Sequence, residues 1–135
     1  MKKEIAILGS TGSIGKSTLQ IIKKIKQFKI KLLVTHKNFP EIIKQIKTFK
    51  PEIVIVINED VYTKVKRNCK KKKIIILKDI KHIYKYIKKI DITVSAIPGI
   101  AGLMPTILFT KISKKILIAN KEAIICGWHL IKKNA

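Results

Sequence analysis

The sequence predicts an α/β domain, a doubly wound parallel sheet with helices on both faces, and three observations lead there. Short isoleucine- and valine-rich runs alternate with stretches whose apolar residues recur every three or four positions. The runs lack the period of two that marks a half-exposed strand, as expected when helices cover both faces of the sheet. A glycine-rich loop, Gly9-Ser10-Thr11-Gly12-Ser13-Ile14-Gly15, separates the first run from the first helical pattern.

Residues 4–8 read as the first strand, and Leu19, Ile22 and Ile25 mark one face of the helix after the loop. Residues 30–34 make the second strand. Ile42, Ile43, Ile46 and Phe49 define the next helix, which stops at Lys50 because Pro51 disfavours the αR conformation in the residue before it. Residues 53–57 are a third strand, 60–69 a helix and 74–77 a fourth strand. Ile80, Ile83, Ile87 and Ile90 give the apolar face of a further helix. Residues 92–96 form a fifth strand, 102–110 a short helix and 115–119 a sixth strand, while Ile124, Trp128 and Ile131 face the core from a last helix. At 135 residues, positions 1–135 are expected to form one domain. Ligands of such sheets bind beyond the carboxyl ends of the strands, which directs attention to residues 9–15, 35–38, 58–60, 97–102 and 120–122.

The 30 basic residues outnumber the 8 acidic ones, for a net charge of +22. Charge on that scale invites a polyanion-binding reading. Its distribution argues against specific nucleic-acid recognition: Arg67 is the only arginine, the lysines run from Lys2 to Lys133, and aromatic residues for base stacking make up 6%. The Lys70 to Lys73 run suits an exposed turn between a helix and a strand. No apolar run approaches the roughly 18 residues needed to span a bilayer, and the start moves straight into a strand without the pattern of a secretory or transit peptide, so a cytoplasmic location is expected. Cys69 and Cys126 lack CxxC spacing and read as ordinary thiols.

Gly9, Gly12 and Gly15 give G-x-x-G-x-x-G, related to the dinucleotide fingerprint of Rossmann-like domains. There the glycines permit a tight turn, close approach of a pyrophosphate, and close packing of helix on strand. Ser10, Thr11 and Ser13 add hydroxyl groups; a plain helix entry with Ser13 as N-cap would need fewer glycines. Gly15-Lys16-Ser17 also matches the tail of the P-loop motif, but that motif requires glycine at position 10, which is serine. A nucleotide triphosphatase is therefore the weaker alternative. After the second strand, where an acidic residue would bond the ribose 2′-hydroxyl of NAD, the sequence reads Thr35-His36-Lys37-Asn38. The missing acid and the cation favour NADPH.

Three segments together resemble the 1-deoxy-D-xylulose 5-phosphate reductoisomerases: residues 7–15, Gly99-Ile100-Ala101-Gly102-Leu103 before Pro105-Thr106, and Leu117-Ile118-Ala119-Asn120-Lys121-Glu122-Ala123. The resemblance runs the length of the chain in the right order. It implies an NADPH-dependent, homodimeric enzyme of non-mevalonate isoprenoid synthesis. Such an enzyme rearranges 1-deoxy-D-xylulose 5-phosphate and reduces the product to 2-C-methyl-D-erythritol 4-phosphate, with Mg²⁺ or Mn²⁺. By the same resemblance, Thr11, Gly12, Ser13 and Ile14 would hold the NADPH pyrophosphate, and His36, Lys37 and Asn38 would surround the 2′-phosphate and adenosine. Asn120 and Glu122 would contact the cofactor, and Lys121 the sugar-phosphate substrate. Without the resemblance, Asn120 reads as an N-cap with Lys121 and Glu122 solvated.

The family's metal carboxylates follow the Asn-Lys-Glu segment, and nothing here replaces them: of the eight acids only Glu59 and Asp60 are close in sequence, too few for an octahedral ion. His82 and His129 are isolated. The chain is thus expected to be the N-terminal NADPH-binding domain, with no metal site or catalytic residue, binding NADPH weakly without turning over alone and exposing apolar surface that another domain would cover. A basic polyanion-binding module and an inactive α/β remnant are the alternatives.

Overall fold

Isoleucine and valine dominate the strands, and their branched side chains suit a pleated surface packed on both sides. In the computed structural model, which describes residues 2–119 together with 132 and 133, the chain runs β1 (Lys3–Leu8), α1 (Ser13–Lys23), β2 (Phe28–Thr35), α2 (Phe39–Phe49), β3 (Ile53–Val56), α3 (Glu59–Asn68), β4 (Ile75–Leu77), β5 (Ile90–Ser95), α4 (Leu103–Thr110) and β6 (Ser113–Ile118). Every pairing is parallel, and the strands lie in the order β4-β3-β2-β1-β5-β6.

From β1 the chain steps outward through β2 and β3 to β4, then returns across the sheet to lay β5 on the far side of β1. Right-handed crossovers consequently place α1, α2 and α3 on one face, and the return segment and α4 on the other. Two cores result. Leu19, Ile22, Ile42, Ile46 and Val65 pack over Ile5, Ile7, Leu33 and Val54. Ile83, Ile87, Phe109 and Ile112 pack over Ala6, Leu8, Leu32 and Ile55. Successive residues of β1 point to opposite faces and meet apolar neighbours on both, which is why the strand shows no alternation.

Helix ends follow local chemistry. Asn38 and Asn58 cap α2 and α3, their side chains accepting the N–H groups of Glu41 at 3.2 Å and Val61 at 3.0 Å. α2 ends with Lys50 in the left-handed region at φ 48°, where the chain turns into Pro51. α1 closes at Lys23, so Ile25 falls just past it, its N–H still bonded to the Ile22 carbonyl at 2.9 Å.

The helix expected across Ile80, Ile83, Ile87 and Ile90 does not form: residues Ile83–Lys85 make one 3-10 turn, and Ile90 opens β5. The sheet order supplies the reason. Residues 78–89 must pass from β4 to β5, four strand positions or about 19 Å, while also returning to the opposite end of the sheet. Twelve residues of α-helix would rise only about 18 Å in all. An extended path covers the distance, and Ile83 and Ile87 are buried in it all the same, with Ile80 partly buried beside them. The helix expected around Ile124, Trp128 and Ile131 lies outside the described residues, as do Cys126 and His129. Cys69 is buried, and burial pushes its thiol pKa up, which suppresses the reactive thiolate. Among the described residues no helix is long and apolar enough to cross a membrane.

Candidate functional site

The strand order reverses between β1 and β5, and the loop leaving β1 sits at that reversal. The N–H groups of Gly9 and Ser10 both donate to the carbonyl of Val34, at 2.8 and 2.9 Å, so the loop hooks over the end of β2. Thr11 and Thr35 hydroxyls meet at 2.6 Å and repeat that connection through side chains. On the other side, a Cβ at Gly9 would stand 2.8 Å from the carbonyl group of Ala96, and the residue adopts φ 85°, which only glycine takes without strain.

The three glycines have different surroundings. A Cβ at Gly15 would fall 2.2 Å from the Gly9 carbonyl oxygen, so α1 can approach the loop only without a side chain there. At Gly12 the same construction finds a single neighbour at 3.7 Å, an ordinary contact. Gly9 and Gly15 are thus required by packing, whereas the fold leaves room at Gly12. That residue instead borders an open cleft.

The cleft has a volume of about 510 Å³. Gly9, Thr11 and Gly12 form its floor, Thr35, His36, Ile57 and Ile80 one wall, and Ile97, Pro98, Ala101 and Pro105 the other. A mostly apolar crevice with a bare backbone at one end suits a ligand that is aromatic in part and anionic in part. The anionic end has a partner. α1 begins at Ser13 with Gly12 as its N-cap and no side-chain cap, and its first internal bond runs from Lys16 N–H to the Gly12 carbonyl at 2.9 Å. The N–H groups of Ser13, Ile14 and Gly15 precede that bond and have no acceptor within the helix, the arrangement that receives phosphate oxygens.

Other expected residues are placed as follows. His36 and Lys37 are exposed beyond the end of β2, and His36 lines the cleft. Asn38 follows them, with its Oδ1 engaged in capping α2. Ser13 and Ile14 are exposed at the start of α1; Ser13 is its first residue and not its cap. Asn120, Lys121 and Glu122 lie outside the described residues; the chain approaches them through Ala119, whose N–H bonds the Ser95 carbonyl at 2.9 Å. Lys16, the lysine of the P-loop reading, lines a groove between α1 and α2 and not the cleft. Ile97 lies in the expected 97–102 stretch, whereas Ile57, Ile80 and Pro105 line the cleft from outside the segments the sequence pointed to.

The loop after β5 is fixed from beneath. Thr106 donates to the Gly102 carbonyl at 2.6 Å and receives the Ser95 hydroxyl at 2.5 Å, all buried. Pro98 of this loop lines the cleft.

The family model described as 1-deoxy-D-xylulose 5-phosphate reductoisomerase matches residues 5–127. The chain belongs to this family. The reductoisomerase of Pelagibacter ubique is 48% identical over 136 residues, a match that covers 98% of this chain and 35% of the relative. A reductoisomerase solved with NADPH, fosmidomycin and magnesium superposes with a TM-score of 0.85 at 29% identity, over 98% of this chain and 34% of that one. The Zymomonas mobilis reductoisomerase solved with NADPH shares the fold, with a TM-score of 0.89 at 23% identity, over 99% of this chain and 36% of that one. The chain spans about a third of the length of these reductoisomerases. Among the described residues no three His, Cys, Asp or Glu side chains gather where they would hold a metal ion.

Proposed function

We propose that residues 1–135 form the NADPH-binding domain of a reductoisomerase that converts 1-deoxy-D-xylulose 5-phosphate to 2-C-methyl-D-erythritol 4-phosphate. One observation carries the reading: Gly12 is bare where the fold would accept a side chain, at the floor of a cleft that ends on an uncapped helix. A glycine there has use for a ligand that must come close to the backbone.

In this reading the pyrophosphate lies over Thr11, Gly12, Ser13 and Ile14, held by backbone N–H groups. The adenosine rests toward His36, Ile57 and Ile80, and the 2′-phosphate meets Lys37 with no carboxylate among residues 35–38 to repel it. The apolar wall at Ile97, Pro98 and Ala101 excludes water from the nicotinamide end. NADPH supplies the hydride of the reduction. Asn120 and Glu122 complete the cofactor contacts, and Lys121 offers a cation to the sugar phosphate. The metal carboxylates are placed outside these 135 residues, and the reaction is assigned to the whole enzyme, a cytoplasmic homodimer.

Calorimetric titration of the chain with NADPH and NADH at moderate salt, repeated with Gly12→Trp, tests the reading. Selective NADPH binding lost in the variant supports it. No binding, or salt-sensitive binding of both nucleotides that survives the substitution, would leave only a remnant or a basic surface.

A further inference from the structure

Gln45 is a polar residue in the middle of α2, on the same face as Ile42 and Ile46, and only 3% of it is exposed. A buried amide is costly unless its hydrogen bonds are made. Its Nε2 donates to the Ser10 carbonyl at 2.9 Å, the bond itself buried, and lies 3.4 Å from a Glu41 carboxylate oxygen. The bond joins residues 35 positions apart and reaches into the glycine loop from the neighbouring helix.

We propose that Gln45 is a positioning residue that sets the peptide plane between Ser10 and Thr11, so that the Thr11 N–H faces the phosphate side of the cleft. The step from bond to function is geometric. The Ser10–Thr11 peptide is trans, as are all the others among the described residues, so its carbonyl and its N–H point in opposite directions. Gln45 draws the carbonyl toward α2 and the protein interior, which turns the Thr11 N–H outward, and Thr11 lies in the cleft floor. Rotation of this one peptide would aim a carbonyl oxygen at an anion in place of a donor. The neighbouring peptides cannot resist it alone: the Gly9 and Ser10 N–H groups hold the loop's entry on Val34, and the Thr11 hydroxyl holds its side chain on Thr35, but neither contact fixes the Ser10 carbonyl.

The proposal rests on the NADPH reading, and its test separates the two. Gln45→Leu removes the donor at nearly constant volume, and Gln45→Glu puts an acceptor against the carbonyl. Each is titrated with NADPH and with adenosine 2′-monophosphate, which has no pyrophosphate, and the ¹³C shift of the Ser10 carbonyl is read in the ligand-free chain. The expected result is NADPH affinity weakened about 10- to 100-fold in Gln45→Leu and further in Gln45→Glu. Adenosine 2′-monophosphate affinity stays within a factor of two or so, and the Ser10 carbonyl shift moves. If Gln45→Leu does not fold, Gln45→Glu carries the comparison. Equal loss for both ligands, or an unmoved Ser10 shift, would reduce Gln45 to a general packing role and overturn the proposal. NADPH binding unchanged in a folded variant would overturn it while leaving the cofactor reading intact. Failure of the unsubstituted chain to bind NADPH would overturn both.

Discussion

The Gly9 carbonyl oxygen lies 2.2 Å from the place a Cβ on Gly15 would occupy, so the first and third glycines of the loop form one packing unit and the second stands apart. Opposite outcomes follow for substitutions three residues apart. Gly15→Ala forces α1 away from the loop and is expected to cost about 1–3 kcal/mol of stability. Gly12→Ala is expected to cost less than about 1 kcal/mol, since its backbone is already extended and its neighbour is distant, yet to weaken NADPH binding. Thermal melts alongside calorimetry check both; equal losses of stability would contradict the division of roles.

Thr106 ties the other wall of the cleft together, linking Ser95 at the end of β5 to the Gly102 carbonyl. Thr106→Val keeps the shape and deletes the hydroxyl, leaving the buried Ser95 hydroxyl without this partner. The expected loss is about 1–3 kcal/mol, with faster amide hydrogen exchange confined to residues 97–103. Exchange that quickens across the whole sheet instead would mean that the hydroxyl supports the fold generally and not this loop.

Much of this arrangement is legible in the sequence because parallel strands buried on both faces leave continuous apolar runs, and Gly9, Gly12 and Gly15 announce the turn between strand and helix. What escaped depends on the order of the strands. Ile57, Ile80 and Pro105 belong to three separate segments, and only the return of the chain from β4 to β5 brings them to one cleft. The same crossing explains the absent helix at residues 80–90, whose isoleucine spacing satisfies a helical pattern but whose span exceeds a helix of that length. Gln45 did leave a signal, a polar residue between Ile42 and Ile46 on an apolar face, though its partner Ser10 could not be read from spacing.

Lys37 stands exposed just past the end of β2, where a cation would meet the 2′-phosphate that distinguishes NADPH from NADH. A charged hydrogen bond there is worth about 1.5–3 kcal/mol. Lys37→Glu is therefore expected to cut NADPH affinity at least about 10-fold and to leave NADH affinity unchanged or improved. Competition titrations with both nucleotides at several salt concentrations measure this. A uniform loss for both would place Lys37 in the general positive field and not at the phosphate.

At the end of the sheet away from the cleft, Lys29 and Lys31 of β2 converge on Glu52, with Glu4 3.6 Å from Lys31. Hydrogen bonds from Lys29 and then Lys31 hold the Glu52 carboxyl below its ordinary value of 4.5, and the Glu52 bond raises Lys31 above 10.5. Asp91, which accepts the Glu4 N–H at 2.8 Å and pairs with Lys114, is likewise held below 3.8. A depressed carboxyl stabilises the fold fully above its unfolded pKa and loses that contribution as pH falls through the folded value; a raised lysine does so below its unfolded pKa and loses it as pH rises. Stability is thus expected to be level between about pH 5 and 10 with respect to these groups and to fall on either side. The Glu52 pairs are partly exposed, so the acid-side loss from them is about 0–1 kcal/mol, a melting-temperature shift of a few degrees. Glu52→Gln should flatten the acid limb in melts taken from pH 3 to 7 while leaving NADPH affinity at neutral pH unchanged, because the ion cluster and the cleft occupy opposite ends of the strands. A variant that lost cofactor affinity along with its acid dependence would show that the two ends are coupled through β2.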